Sequence, residues 1–214
     1  MPTKLDSREY RKIDATLMET RRDDDGRRIV EGYATTFNQP YELLRDGNVI
    51  VNEQVDAGAF NETDMSDTIM QYDHEGRVFA RVKNGTLRLD PDEHGLKVTA
   101  DLGGTEIGRQ LFEEIDGGYT NKMSFGFTVT GQKRERMKDE DGNTVILRTI
   151  TKVGRLFDVS AVSLPANDAT EISSRTIGDG LIAEALEEVR AEEERQRRIG
   201  EIRKILRGEQ DHDE

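Results

Sequence analysis

The chain has 214 residues, of which 34% are hydrophobic and 35% charged, with a net charge of −13. That length makes one ordinary domain with an appendage, the polar mix leaves part of the chain solvated, and the acidity excludes phosphate tracking over the whole surface. There is no cysteine, which removes disulfides, thiolate metal sites and cysteine nucleophiles. No apolar run approaches the ~20 residues that cross a bilayer, and the start "MPTKLDSREYRK" lacks the apolar segment of a secretory signal. The expectations are therefore no membrane and no nucleic acid as partners, and residence in a cytoplasm.

Alternation through Ile13, Ala15 and Leu17 predicts a first strand in "KIDATL". "DDDG" at 23–26 predicts a turn, and "RIVEGYATTFN" a second strand with Ile29, Glu31, Tyr33, Thr35 and Phe37 on one parity. Residues 38–55, with Pro40 and Asp46-Gly47, read as loop, and 56–70 as a mixed stretch able to hold a short helix. "TLRLDPDEHGLKVTADL" is a hairpin signal, two alternating runs around a Pro/Asp/Gly turn. The period then changes. Ile107, Leu111 and Ile115 recur every fourth residue between Thr105 as N-cap and Gly117 as C-cap, which predicts a helix.

"NKMSFGFTVT" reads as a strand with Met123, Phe125, Phe127 and Val129 on one face. Its other face is bare around Ser124: either an ordinary polar face in water or a serine kept clear for something to approach. A long hairpin joins it through "DEDGN" to "TVILRTITKV", and "GRLFDVSAVSLPAN" is a last strand ended by Pro165. The sum is a mainly antiparallel α+β fold of about seven strands, closed or partly open as a β-barrel, with one or two inserted helices. Its boundaries read as a β-barrel domain at 1–165, a small polar linker at 166–180, and a charged helical arm with acidic tail at 181–214. In the arm, Glu193–Arg197 and Glu194–Arg198 are i,i+4 pairs, and its apolar residues gather at both ends, as an exposed or partner-seeking arm would have them.

Three histidines limit the chemistry. His212 lies in the acidic tail, and His94 sits in the "DPDEHG" turn as a solvated side chain. His74 stands between an apolar stretch and a strand, either a loop-edge residue or a base. No HExxH or HxH spacing supports a metal, so neither metal nor cofactor is expected. Asp158 interrupts an apolar strand; a buried carboxylate needs a partner, which is either an arginine such as Arg155 or Arg148, or a histidine that it orients. A serine becomes a nucleophile when a histidine takes its proton and an acid orients that histidine. Ser124, His74 and Asp158 lie on separate segments that an antiparallel barrel can bring together. Ser7, Ser66, Ser160, Ser163, Ser173 and Ser174 compete, and no GxSxG elbow is present.

Six segments in order over residues 28–170 resemble the prohead (capsid maturation) proteases of tailed phages, serine peptidases akin to the herpesvirus assemblins. They are "VEGYATTFN", "DAGAF", "YDHEGRVFARVKNGTLRL", "GLKVTADL" with the helix "TEIGRQLFEEIDGGY", "NKMSFGF" and "DVSAVSLPANDAT". The resemblance implies an assemblin-like barrel and His74, Ser124 and Asp158 as catalytic residues, with glutamate the usual residue where Asp158 stands. It implies a phage- or prophage-encoded endopeptidase working inside the immature capsid in the host cytoplasm. Its partners would be the major capsid protein and scaffold, and self-association is compatible with it. A catalytically silent scaffolding or capsid-assembly protein with the same fold is the alternative, and a metal-dependent hydrolase a third.

Overall fold

The computed structural model describes residues 8–162 and 181–206, with only the backbone for residues 12–17, 181–185 and 206. The described residues form eleven strands, two α-helices and a 3-10 turn at Val82–Asn84. A seven-stranded mixed sheet contains β1 (Arg8–Leu17), β4 (Tyr41–Asp46), β5 (Val49–Val55), β6 (Ile69–Tyr72), β7 (Glu75–Arg81), β10 (Lys122–Lys138) and β11 (Thr144–Val162). A four-stranded antiparallel sheet holds β2 (Glu19–Arg22), β3 (Arg28–Thr36), β9 (Gly95–Asp101) and β8 (Leu87–Pro91), in that order. Both sheets contribute to one core, which runs from Val30, Val98 and Ala100 through Phe60 and Met70 to Met123, Phe125, Phe127 and Val159. This is the α+β fold with a partly open, curled sheet rather than one continuous closed barrel.

The alternation in β10 does what its spacing predicts. Met123, Phe125, Phe127 and Val129 are buried, and the rings of Phe125 and Phe127 stack at 4.4 Å between centroids. The hairpin β8–β9 turns through Asp92–His94. Helix α1 (Glu106–Asp116) is capped by the Thr105 hydroxyl, which accepts from Gly108 N, and buries Leu111, Phe112 and Ile115. Gly117 closes it in right-handed geometry, and the left-handed position falls to Gly118 (φ 76°).

Several elements differ from the expectation. Within residues 38–55, read as loop, 41–55 form the hairpin β4–β5 around Asp46-Gly47. Residues 56–68 hold turns and no helix. The first two strands do not pair with each other. β1 pairs with β10, and after Met18 the short β2 forms the hairpin with β3 across "DDDG". The two segments read as separate strands near the end are one 19-residue strand, β11, whose antiparallel partner is β10 and whose other edge is parallel to both β5 and β6. Pro165 and the linker lie outside the described residues.

Helix α2 (Leu181–Leu206) meets the seven-stranded sheet through Val189, buried among Leu43, Val49, Val51 and Ile146, and through an Arg190–Asp46 pair at 2.8 Å. Beyond that stretch Ile202 and Ile205 are exposed. Glu194 pairs with Arg198 as the spacing predicts, whereas Arg197 faces Glu201 at 3.8 Å instead of Glu193.

Candidate active site

Three neighbouring strands, β10, β11 and β6, bring the three sequence-selected side chains together. The register sets Ser124 beside Ser160 and Gly126 beside Asp158 across the β10–β11 ladder. On the other edge of β11, Asp158 to Ala161 pair with Ile69 to Tyr72. The chain then reverses through Asp73 and His74, with Tyr72 opposite Glu75. Both turn residues have positive φ, 45° and 61°, as a two-residue type I′ hairpin turn demands. Asparagine and glycine suit such a turn best, so placing Asp and His there costs backbone strain. The strain sits where it aims the His74 ring back over β11. The His74 backbone N–H is fixed by Ser160 Oγ at 3.1 Å.

His74 Nε2 lies 2.5 Å from Ser124 Oγ, and His74 Nδ1 is hydrogen-bonded to Asp158 Oδ2. An ionised carboxylate only accepts, so Nδ1 carries the proton and Nε2 is left as an acceptor facing the serine. The aspartate, one methylene shorter than the residue the resemblance implies, reaches the ring. Asp158 is fully buried. It also takes an ion pair from Arg8 and a hydrogen bond from Ser160 Oγ at 3.0 Å. Burial alone would raise its pKa, but the hydrogen bond and charge of His74, with the Arg8 guanidinium and the Ser160 hydroxyl, hold it below the ordinary carboxylate value.

Gly126 makes this arrangement possible. A Cβ there would collide with Asp158 Oδ1 and stand 2.9 Å from Tyr10 Cε1 and 3.1 Å from Arg8 Nε. The glycine between Phe125 and Phe127 is thus a space requirement.

Arg8, Tyr10 and Ser160 are site residues that the sequence reading did not select. Ser160 was recoverable in principle, since it shares a strand face with Asp158 two places away. Arg8 and Tyr10 are far away in sequence and gave no signal. Of the two alternatives for the Asp158 partner, the histidine is in place, and neither Arg148 nor Arg155 contacts the carboxylate. Arg148 joins a separate buried cluster, and Arg155 faces Asp64 at 3.7 Å. That cluster is the second polar feature near the site. Arg11 contacts Glu53 (Nε–Oε1, 2.5 Å) and Glu9 (Nη2–Oε2, 2.5 Å). Arg148 contacts Glu53 at 2.5 Å and Glu9 at 2.9 Å, and Tyr41 donates to Glu53 at 2.5 Å. All four charged side chains are buried. Burial would raise the Glu53 carboxyl, yet the two guanidiniums and the tyrosine push it down to about 2.

The bare face beside Ser124 is not open. Ser124 is fully buried, with Lys12 of β1 as its register partner, and its hydroxyl, 2.5 Å from His74 Nε2, also lies within donating distance of the Arg11 carbonyl oxygen at 2.7 Å. His94 is exposed in its turn and packs edge-on against Tyr33 at 4.6 Å. Among the described residues no three His, Asp or Glu side chains gather as a metal site would require.

No curated protein matches the chain. Among solved structures, the capsid assembly protease gp21 of bacteriophage T4 is similar at 10% identity and a TM-score of 0.36, covering 72% of this chain and 98% of that one. The model of the caudovirus prohead serine proteases matches residues 16–181, which include β2 to β11 and the whole His74–Ser124–Asp158 cluster. The chain belongs to the caudovirus prohead serine protease family.

Proposed function

We propose that the chain is a serine endopeptidase in which Ser124 attacks the scissile carbonyl carbon, His74 takes and returns the proton, and Asp158 orients the imidazole. The observation that carries this reading is the continuous path Ser124 Oγ–His74 Nε2, His74 Nδ1–Asp158 Oδ2. Attack forms the Oγ–C bond as the serine proton passes to Nε2. Collapse of the tetrahedral intermediate passes that proton to the leaving amine, and a water repeats the sequence to free the acid. Asp158 stays ionised throughout and stabilises the imidazolium.

Family membership supports a phage-encoded enzyme of the prohead, and the substrates we assign are the scaffold, the capsid protein and the chain itself. The work is done inside the immature shell in the host cytoplasm. Residues 1–165 form the peptidase domain of assemblin type, 166–180 the linker, and 181–214 an arm that recruits the enzyme by packing on scaffold or capsid helices. Exposed Ile202 and Ile205 support a docking role for the distal half of the arm. Self-cleavage between Ala166 and Gly180, a stretch rich in small residues, then releases the arm.

One observation favours the silent alternative, the complete burial of Ser124. Intact-mass measurement of the purified protein beside Ser124→Ala separates the two readings. The proposal expects time-dependent fragments cut within 166–180 in the parent and none in the variant. Identical fragments in both, or a parent that cleaves neither itself nor co-expressed capsid protein, would decide for the silent form.

A further inference from the structure

We propose that Ser160 is a positioning residue of the catalytic group: its hydroxyl ties the backbone of the His74 turn to the Asp158 carboxylate and so keeps the imidazole aimed at Ser124. This rests on the proposed reading of Ser124, His74 and Asp158 as the reacting group. Ser160 is fully buried on β11. The register sets it between Gln71 of β6, the strand that leads into the histidine turn, and Ser124 of β10.

Its polar contacts leave one arrangement for the hydroxyl hydrogen. The His74 backbone N–H, which can only donate, meets Ser160 Oγ at 3.1 Å. Asp158 Oδ2, which as a carboxylate oxygen can only accept, lies 3.0 Å from the same Oγ. The hydroxyl therefore accepts from the histidine backbone and donates to the aspartate. Oδ2 is also the atom that receives His74 Nδ1–H. His74 is thus held twice, at its backbone by the hydroxyl and at its ring by the carboxylate to which that hydroxyl is bonded. Hydrogen bonds linked in this way strengthen one another.

The turn needs such an anchor. Asp73 N–H goes to the Ala161 carbonyl oxygen at 3.0 Å and His74 N–H to Ser160 Oγ. Two adjacent residues of β11 therefore hold two adjacent residues of the turn, one by a main-chain bond and one by a side chain. Both turn residues have left-handed backbone, a conformation that persists only where the surroundings over-determine it. A shift of this backbone moves the ring with it and carries Nε2 away from Ser124 Oγ, now 2.5 Å distant.

The same contacts distinguish the two serines that face each other across the β10–β11 ladder. Nε2 faces Ser124, while the hydrogen of Ser160 is committed to a carboxylate, so Ser160 is not a nucleophile. Burial raises the Asp158 carboxyl; the bond and charge of His74, the Arg8 guanidinium and the Ser160 hydroxyl together bring it below its ordinary value. Without that hydroxyl the carboxylate is a stronger base, and the coupled His74–Asp158 pair takes up its proton at higher pH.

The test compares the full-length protein with Ser160→Ala, reading modification of Ser124 by a fluorophosphonate across pH. Misplacing a reacting group by about 1 Å costs about 10²-fold, so the maximal rate should fall at least about tenfold. The half-saturating probe concentration should not change, because Ser160 positions the base and does not bind the probe. The acid limb of the profile should move to higher pH. A second readout needs no reaction. The low-field proton resonance of His74 Nδ1–H, assigned by its loss in His74→Ala, should be sharp in the parent and shifted upfield or broadened in Ser160→Ala. A maximal rate within about twofold of the parent with the same acid limb would overturn the proposal, and so would an unaltered resonance. Where Ser160→Ala does not fold, Ser160→Cys, which keeps the volume but is a weak donor and acceptor, is judged by the same outcomes. If the parent itself is not modified at Ser124, the nucleophile assignment falls, and the resonance alone decides whether Ser160 holds the ring.

Discussion

Arg8 and Asp158, 150 positions apart in the chain, form an ion pair across the edge of β10, on a carboxylate that also holds the His74 ring. Asp158 thus serves two partners at once, and its substitution bears on both. Asp158→Asn keeps the volume but offers an amide that can donate to Nδ1, which favours the wrong tautomer. The expected loss in kcat is about 10³- to 10⁴-fold with the fold retained, read by peptide hydrolysis beside a circular dichroism melt. Asp158→Glu should keep most activity. A fully active Asp158→Asn would make the residue structural.

Gly126→Ala should damage activity more than stability. The added methyl collides with Asp158 Oδ1 and crowds Tyr10 and Arg8 rather than the core. Displacing Asp158 tilts the histidine away from the serine, and small misplacements of this kind cost about 10²-fold. The check is kcat together with the urea midpoint; a loss of stability with unchanged kcat would contradict this assignment of the glycine.

Asp73→Gly should stabilise the protein by up to about 1 kcal/mol, because a non-glycine residue at φ 45° carries a left-handed backbone penalty of that order. Activity should be retained, since the turn still presents His74. A variant less stable than the parent would mean that Asp73 contributes an interaction outweighing the backbone term.

Acid should unfold the protein partly through Glu53. Its carboxyl is lowered from an ordinary 4.5 to about 2 in the folded chain. A depressed folded pKa gives stability that is complete above the unfolded value and lost as pH falls through the folded one. The urea midpoint should therefore fall between about pH 4.5 and about 2. Asp158, also depressed, acts in the same direction. Glu53→Gln should lower stability at neutral pH and flatten this dependence. An unaltered slope in that variant would place the acid-sensitive group elsewhere.

What could be read from the sequence were features with local signals. Period 3.6 and the Thr105 cap gave α1, alternation gave the apolar face of β10, and Pro/Asp/Gly gave the turn of β8–β9. The cluster of Ser124, His74 and Asp158 followed from residue chemistry together with the family resemblance. The features that escaped depend on long-range pairing. Arg148 meets Glu9 over 139 positions and Arg11 meets Glu53 over 42, and nothing in the spacing of charged residues marks them as buried. β5 escaped because "VIVNEQV" carries Glu53 at a fully buried position, where a polar residue reads as loop. The parallel pairings of β11 with β5 and β6 leave no mark in alternation, which is blind to strand direction.

The most direct test of the central claim is peptide mapping after fluorophosphonate treatment of the full chain, with Ser124→Ala and His74→Ala treated alongside. The account predicts one adduct, on Ser124, absent from Ser124→Ala and slowed by several orders of magnitude in His74→Ala. An adduct on Ser160 or another serine, or undiminished labelling of Ser124 without His74, would contradict it.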